Sequence, residues 1–213
     1  MATTRFTFIG ETEARRIEPG AVVELEAGGH VTPLAADTLR ARRVTVVPVG
    51  SLDPNLPVGL APAAVVARVA IGADHTGVAL KAALVAHLRR AAKAVIDHGT
   101  EGPDRVDYPD VAGRVAVAVS RGEADAGIVI DGSGLGSAIA ANKVRGVRAA
   151  MCSNMTLARY AREHCGANVI TLGVTLVNVE EATAIVDAWM STPMREARYI
   201  RRLLKVRRLE DAF

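Results

Sequence analysis

The chain has 213 residues, half of them apolar and only 3% aromatic, with 26 basic against 23 acidic residues for a formal net charge of +3. That length gives one ordinary domain with an appendage, or two small ones, and a core built from Ala, Val, Leu and Ile favours α/β layers over a β-sandwich. Two cysteines, Cys152 and Cys165, are too few for a disulfide framework, and neither a signal pattern nor a membrane-length apolar run occurs, so a reduced, cytoplasmic protein without membrane contact is expected.

Residues 5–31 alternate weakly around Pro19-Gly20 and Gly28-Gly29, which reads as short antiparallel strands or partly ordered extended chain. Thr32 as N-cap and Pro33 at the first helical position then open a helix, and a short strand over Val44–Val49 closes an N-terminal extension, residues 1–50. Residues 51–64, with Pro54, Pro57 and Pro62, read as a linker to a main domain over 65–213.

From Val65 strands alternate with helical patterns. Strands are expected over Val65–Ile71, at Val95-Ile96, over Ile128–Ile130, Val147–Cys152 and Asn168–Leu172. Helices follow each, and Pro193 separates the last from a basic C-terminal helix. Repeated β-α units imply a five-stranded parallel sheet covered on both faces, with ligands beyond the carboxyl ends of the strands. Basic residues crowd into 195–208; this reads as a solvated helix face suited to small anionic substrates rather than to nucleic acid.

The most informative stretch is 128–143, I-V-I-D-G-S-G-L-G-S-A-I-A-A-N-K. It reads as a buried strand, a Gly-rich turn and a helix start, with Asp131 at the strand end. Glycines admit close approach of a ligand, and free N–H groups stabilise an oxyanion. A carboxylate beside such donors is what enolisation of a carbonyl compound requires. Two plainer readings compete: a tight connection in which Asp131 caps the next helix, or a dinucleotide loop. The G-x-G-x-G spacing, with Cys152 about 20 residues on where an acidic ribose ligand belongs, opposes the latter.

Several motifs together, I-G-A-D-H-T-G near the start of the main domain, V-D-Y-P-D, the Gly-rich stretch, A-R-E-H and A-N-V-I-T-L-G, resemble the type B ribose-5-phosphate isomerase and galactose-6-phosphate isomerase family. The resemblance runs from about Val66 to Arg202. It implies a Rossmann-like three-layer α/β fold, no cofactor and no metal, and interconversion of aldose and ketose phosphates through a cis-enediol. It also implies a homodimer or homotetramer with active sites shared between subunits, a phosphorylated sugar as small-molecule partner, and no nucleic acid or membrane partner.

Carried over by position, the resemblance assigns Asp74 and His164 to ring opening, Asp131 to proton transfer and Ser133 to the enediolate. His75, Tyr108, Gly132, Gly134, Leu135, Gly136 and Asn142 become substrate-binding, and Arg198 and Arg202 hold the phosphate. The two arginines are spaced i, i+4 and so share one helix face. Four departures accompany the match. Asp131 stands where many members carry a Cys base, Ser137 where others place Glu, Cys165 replaces an Asn, and Thr175 replaces an Arg. A pentose 5-phosphate such as ribose 5-phosphate is the first substrate expected. Tetrose or hexose phosphates, a non-catalytic sugar-phosphate-binding protein and a nucleotide-dependent oxidoreductase are the competing readings. The first 64 residues lie outside the resemblance; G-G-H-V-T-P-L-A-A-D-T-L-R resembles short segments of proteins associated with bacterial microcompartments, and an arm packing on a neighbouring subunit is the simpler expectation.

Overall fold

The computed structural model describes residues 4–42, 44–48, 62–63, 65–194 and 197–212. Most of the expected linker, 51–61 and 64, thus lies outside the described residues, as does Val49. The chain divides into two compact units, Met1–Val58 with Arg195–Leu204, and Gly59–Met194 with Lys205–Phe213.

The first unit runs β1 (Arg5–Ile9), α1 (Glu11–Arg16), β2 (Val22–Val31), α2 (Pro33–Ala41) and β3 (Thr45–Pro48). Its sheet has the order β1-β2-β3, and both pairings are parallel. This corrects the antiparallel expectation. The cause is α1, whose six residues are too short to show a period in the sequence but suffice as a crossover. Glu13 accepts the Gly10 N–H at 2.9 Å, Arg15 pairs with Glu11 at 2.6 Å, and Ala14 and Ile17 are buried. With β1 and β2 joined by a helix instead of a hairpin, they run the same way. Both helices pack on one another, and their side chains share a core with Ile9 and Val23. Thr32 caps α2 as expected, its Oγ1 accepting the Ala35 N–H at 3.3 Å.

The second unit continues with β4 (Arg68–Ala73), α3 (Val78–Arg90), β5 (Ala94–Asp97), α4 (Tyr108–Ser120), β6 (Ala126–Asp131), α5 (Leu135–Ala141), β7 (Ala149–Met151), α6 (Met155–Glu163), β8 (Val169–Gly173) and α7 (Val179–Ser191). A final helix, α8 (Ala197–Ala212), passes from one unit into the other. The five-stranded sheet has the order β5-β4-β6-β8-β7 and is parallel throughout. Alternation along each strand feeds two cores. Val69, Ile71, Ile128, Ile130, Ile170 and Leu172 meet α3, α6 and α7, while Ala70, Val129 and Val169 meet α4 and α5. Every residue of β6 is buried, which explains its unbroken apolar run.

Lys81 and Arg162 are two of the charged side chains buried among the described residues. Lys81, only 3% exposed, gives its Nζ to both carboxylate oxygens of Asp97 at 2.6 and 2.7 Å. Arg162 donates to the Ala167 and Ala63 carbonyls and lies over the Trp189 ring, and burial lowers its pKa to about 10. Among the described residues no helix is long and apolar enough to cross a membrane.

Candidate active site

The carboxyl end of β6 carries Asp131, and three residues of turn lead into α5. Asp131 is 4% exposed, and its carboxylate is turned onto its own loop. Oδ1 accepts the N–H of Ser133 at 2.8 Å and that of Gly134, and Oδ2 accepts the Ser137 N–H at 3.0 Å. Capping of the following helix, weighed in the sequence against catalysis, is therefore an observed role of this side chain. It does not use up the carboxylate. Oδ1 is filled, but Oδ2 receives one donor and has a second acceptor position.

The same bonds narrow the oxyanion role expected of the loop. The Ser133 and Gly134 amides already point at Asp131, and the Leu135 N–H lies 3.3 Å from Ser133 Oγ. An enediolate oxygen would have to compete with the carboxylate for these donors.

The glycines do different jobs. Gly134 has φ +77°, and a Cβ there would stand 2.9 Å from Met151 Cγ and 3.1 Å from the Leu172 carbonyl carbon, so turn conformation and packing both require glycine. At Gly136 a Cβ would come within 2.6 Å of the Tyr108 ring, which places Tyr108 against the start of α5. A Cβ at Gly132 would meet nothing within 4 Å; this is the position open to a ligand. Leu135 is exposed beside it.

Three residues that sequence reasoning missed lock the loop from β8 and the turn after it. Thr171 donates its hydroxyl to the Gly134 carbonyl at 2.6 Å, and Thr175 donates to Gly132 O at 2.7 Å. Gly173 lets the Ser133 backbone pass where a Cβ would stand 2.5 Å away. A lone hydroxyl in the apolar run V-I-T-L-G is a signal for Thr171; nothing in the sequence marks Thr175, which is read there only as a missing Arg.

Asp74 and His75 sit at the end of the neighbouring strand. The Asp74 N–H donates to Ile130 O at 3.0 Å, tying the two strand ends together. Its carboxylate, 8% exposed, accepts the Thr76 N–H at 2.8 Å and the Thr76 hydroxyl at 2.5 Å. His75 is partly exposed, and its Nδ1 accepts the Val106 N–H at 3.4 Å. His164 caps the end of α6, with its ring stacked on Tyr160 at 4.7 Å between centroids. Arg202, on α8 in the first unit, holds its guanidinium 5.8 Å from the centre of the Tyr199 ring. Arg198 lies one turn earlier on that helix, and its side chain falls outside the described residues.

Asn142 is bonded to the backbone through both ends of its amide. Its Nδ2 donates to Ala138 O and Ala149 O at 2.9 and 2.8 Å, and its Oδ1 accepts the Ala149 N–H at 2.8 Å. Both ends of the amide are spent clamping α5 to β7, so Asn142 shapes the loop's exit and has no donor left for a substrate.

Among the described residues no group of three or more His, Cys, Asp or Glu is placed to hold a metal. Both cysteines are free thiols. Burial pushes the Cys152 thiol up to about 12, whereas Cys165, next to His164, is exposed.

A family model described as Ribose/Galactose Isomerase matches residues 69–206. Ribose-5-phosphate isomerase B of Escherichia coli is 43% identical over 144 residues, covering 68% of this chain and 97% of that protein. The Mycobacterium leprae protein of the same name is 42% identical over 138 residues, 64% of this chain and 85% of its own length. Among solved structures, ribose-5-phosphate isomerase B of Clostridium thermocellum superposes with a TM-score of 0.67 at 45% identity, covering 68% of this chain and 98% of that one. The Mycoplasma genitalium enzyme with bound ribulose-5-phosphate gives 0.66 at 38% identity, covering 68% and 97%. With nearly the whole length of such relatives laid on the segment that contains the five-stranded sheet and the Asp131 loop, the chain belongs to the ribose/galactose isomerase family and is an isomerase.

Proposed function

We propose that the protein is an aldose-ketose isomerase acting on a phosphorylated sugar, with a pentose 5-phosphate such as ribose 5-phosphate as its substrate and a cis-enediol as intermediate. The observation that carries this reading is the Asp131 carboxylate, fixed by three backbone donors at the end of the central strand beside the open position at Gly132. The names of the E. coli and C. thermocellum relatives support the substrate class.

In this mechanism the second acceptor position of Asp131 Oδ2 takes the proton from C2 of the aldose and, after exchange with solvent, delivers a proton to C1, while the proton of the C2 hydroxyl passes to O1, so that O1 becomes a hydroxyl and O2 the ketone oxygen. Negative charge thereby leaves the carboxylate and appears on the substrate oxygen. The N–H groups of Ser133 and Gly134, which hold the carboxylate in the resting enzyme, then shift from the neutralised carboxyl group to the enediolate oxygen. The Ser133 hydroxyl adds a donor. His164 and Asp74 open the furanose ring, His75 contacts substrate oxygens, Tyr108 and Leu135 wall the pocket, and Arg198 and Arg202 hold the phosphate. The residues present supply a base and anion donors, so the proposed mechanism calls on no metal or cofactor.

The active form is proposed to be a homodimer or larger, placed in the cytoplasm. Leu135 and Ile139 on α5, and Met155, Leu157 and Tyr160 on α6, are large apolar side chains left exposed in the isolated chain, and such surface supports a partner subunit. Sedimentation equilibrium checks it, a monomer at micromolar concentration being the contrary result. The catalytic reading is tested by incubating the protein with tetrose, pentose and hexose phosphates in deuterium oxide and following C2 by NMR. Label is expected at C2 of ribose 5-phosphate; exchange only in a tetrose or hexose phosphate would reassign the substrate.

A further inference from the structure

The Met1–Val58 part of the first unit lies outside the matched region, residues 69–206, and its sheet presents a physical problem. Parallel sheets are covered on both faces. Here α1 and α2 pack together over the face that carries Val23 and Leu25. Glu24, between those two residues, points to the opposite face by strand alternation, yet is only 3% exposed. Its strand neighbour Arg5, paired with it at 2.9 Å, keeps 64% of its own side chain exposed and so supplies little of that cover. Among the described residues of this unit, the remaining element is the first half of α8, within Arg195–Leu204. Tyr199 and Leu203, one turn apart on it, are 4% and 2% exposed, while Arg201 and Arg202 point to solvent.

We propose that the first half of α8 is seated on the second face of the N-terminal sheet, and that the N-terminal unit thereby positions the phosphate-binding arginines. Tyr199 and Leu203 are its positioning residues. They form the apolar stripe that seats the helix, and the Tyr199 ring also lies beneath the Arg202 guanidinium at cation-π distance. The inference rests on the reading of Arg198 and Arg202 as phosphate ligands. The additional unit is then a device for phosphate recognition, distinct from the loop that performs proton transfer.

The test uses full-length protein, with inorganic phosphate as the probe in calorimetry and a sugar phosphate in steady-state kinetics. Leu203→Ala is expected to weaken inorganic phosphate binding and raise KM about tenfold, with kcat changed by less than about twofold, and Leu203→Met to restore both. A purely structural role predicts the opposite split, a loss of active protein that lowers kcat and leaves KM and phosphate affinity where they were; that result overturns the proposal. If Leu203→Ala does not fold, Tyr199→Leu, which keeps an apolar anchor and removes the ring, is read by the same two quantities. Should the wild type isomerise no sugar phosphate, calorimetry still decides: weakened phosphate binding in the variants sustains the seat while the isomerase reading fails, and unaltered or absent phosphate binding overturns it.

Discussion

Asp131 accepts three N–H groups of the loop that carries it and keeps one acceptor position on Oδ2, and around this carboxylate the surrounding glycines take different roles. Gly134 is structural: its positive φ and the Met151 and Leu172 atoms behind it leave no room for a methyl group. Gly132 faces open space. Gly134→Ala is therefore expected to lose roughly 1–3 kcal/mol in denaturant melts, whereas Gly132→Ala stays within about 1 kcal/mol of wild type and instead raises KM; equal stability losses would contradict the division. Sequence reasoning found Asp131 and the glycines because a β-branched run ending in Asp-Gly is a local signal. It did not see that Asn142 closes on Ala149, or that Thr171 and Thr175 hold the carbonyls of Gly134 and Gly132 from 37 and 43 residues away. Such bonds are set by strand order, which no local pattern encodes.

At the scale of elements, β4, β6 and β8 are legible because each is a buried apolar run closed by Gly or a polar residue, while the half-exposed β5 and β7 show only short apolar pieces. The N-terminal unit was misread for the converse reason: α1 is too short to show a period, and without it the flanking strands look like a hairpin. One inter-element contact gives a pH dependence. His98 follows β5, with its carbonyl gripped by Arg114 of α4 and its Nε2 buried without a hydrogen-bond partner among the described residues. Burial, and then the Arg114 charge, hold this imidazole below its ordinary value, against smaller opposing effects from Asp97 and Glu123. As pH falls below about 6.5, the unfolded chain takes up a proton that folded His98 refuses, so stability is full above that value and declines below it toward the folded pKa. Thermal midpoints measured across this range should slope downward toward acid for wild type and flatten in His98→Gln; an unchanged slope removes His98 as its source.

At the scale of the molecule, the family match over residues 69–206 covers the five-stranded sheet and the Asp131 loop in the second unit and also takes in Arg195–Leu204 of the first. The first unit and the leading half of α8 form a separate compact body that carries Arg202. Three of the four departures that the resemblance implies, Asp131, Ser137 and Thr175, are joined to this loop by hydrogen bonds. In the proposed mechanism the base and the helix cap are one side chain, Asp131, and Thr175 ties down the Gly132 carbonyl that lies next to it. This arrangement makes activity depend on the charge of one oxygen pair. The most direct test is C2 proton exchange on ribose 5-phosphate in deuterium oxide, compared between wild type and Asp131→Asn, with inorganic phosphate binding as the control for folding. Exchange in the wild type and its loss by a factor of about 10³ or more in Asp131→Asn, with phosphate binding retained, is the predicted result; exchange at the wild-type rate in Asp131→Asn would contradict it.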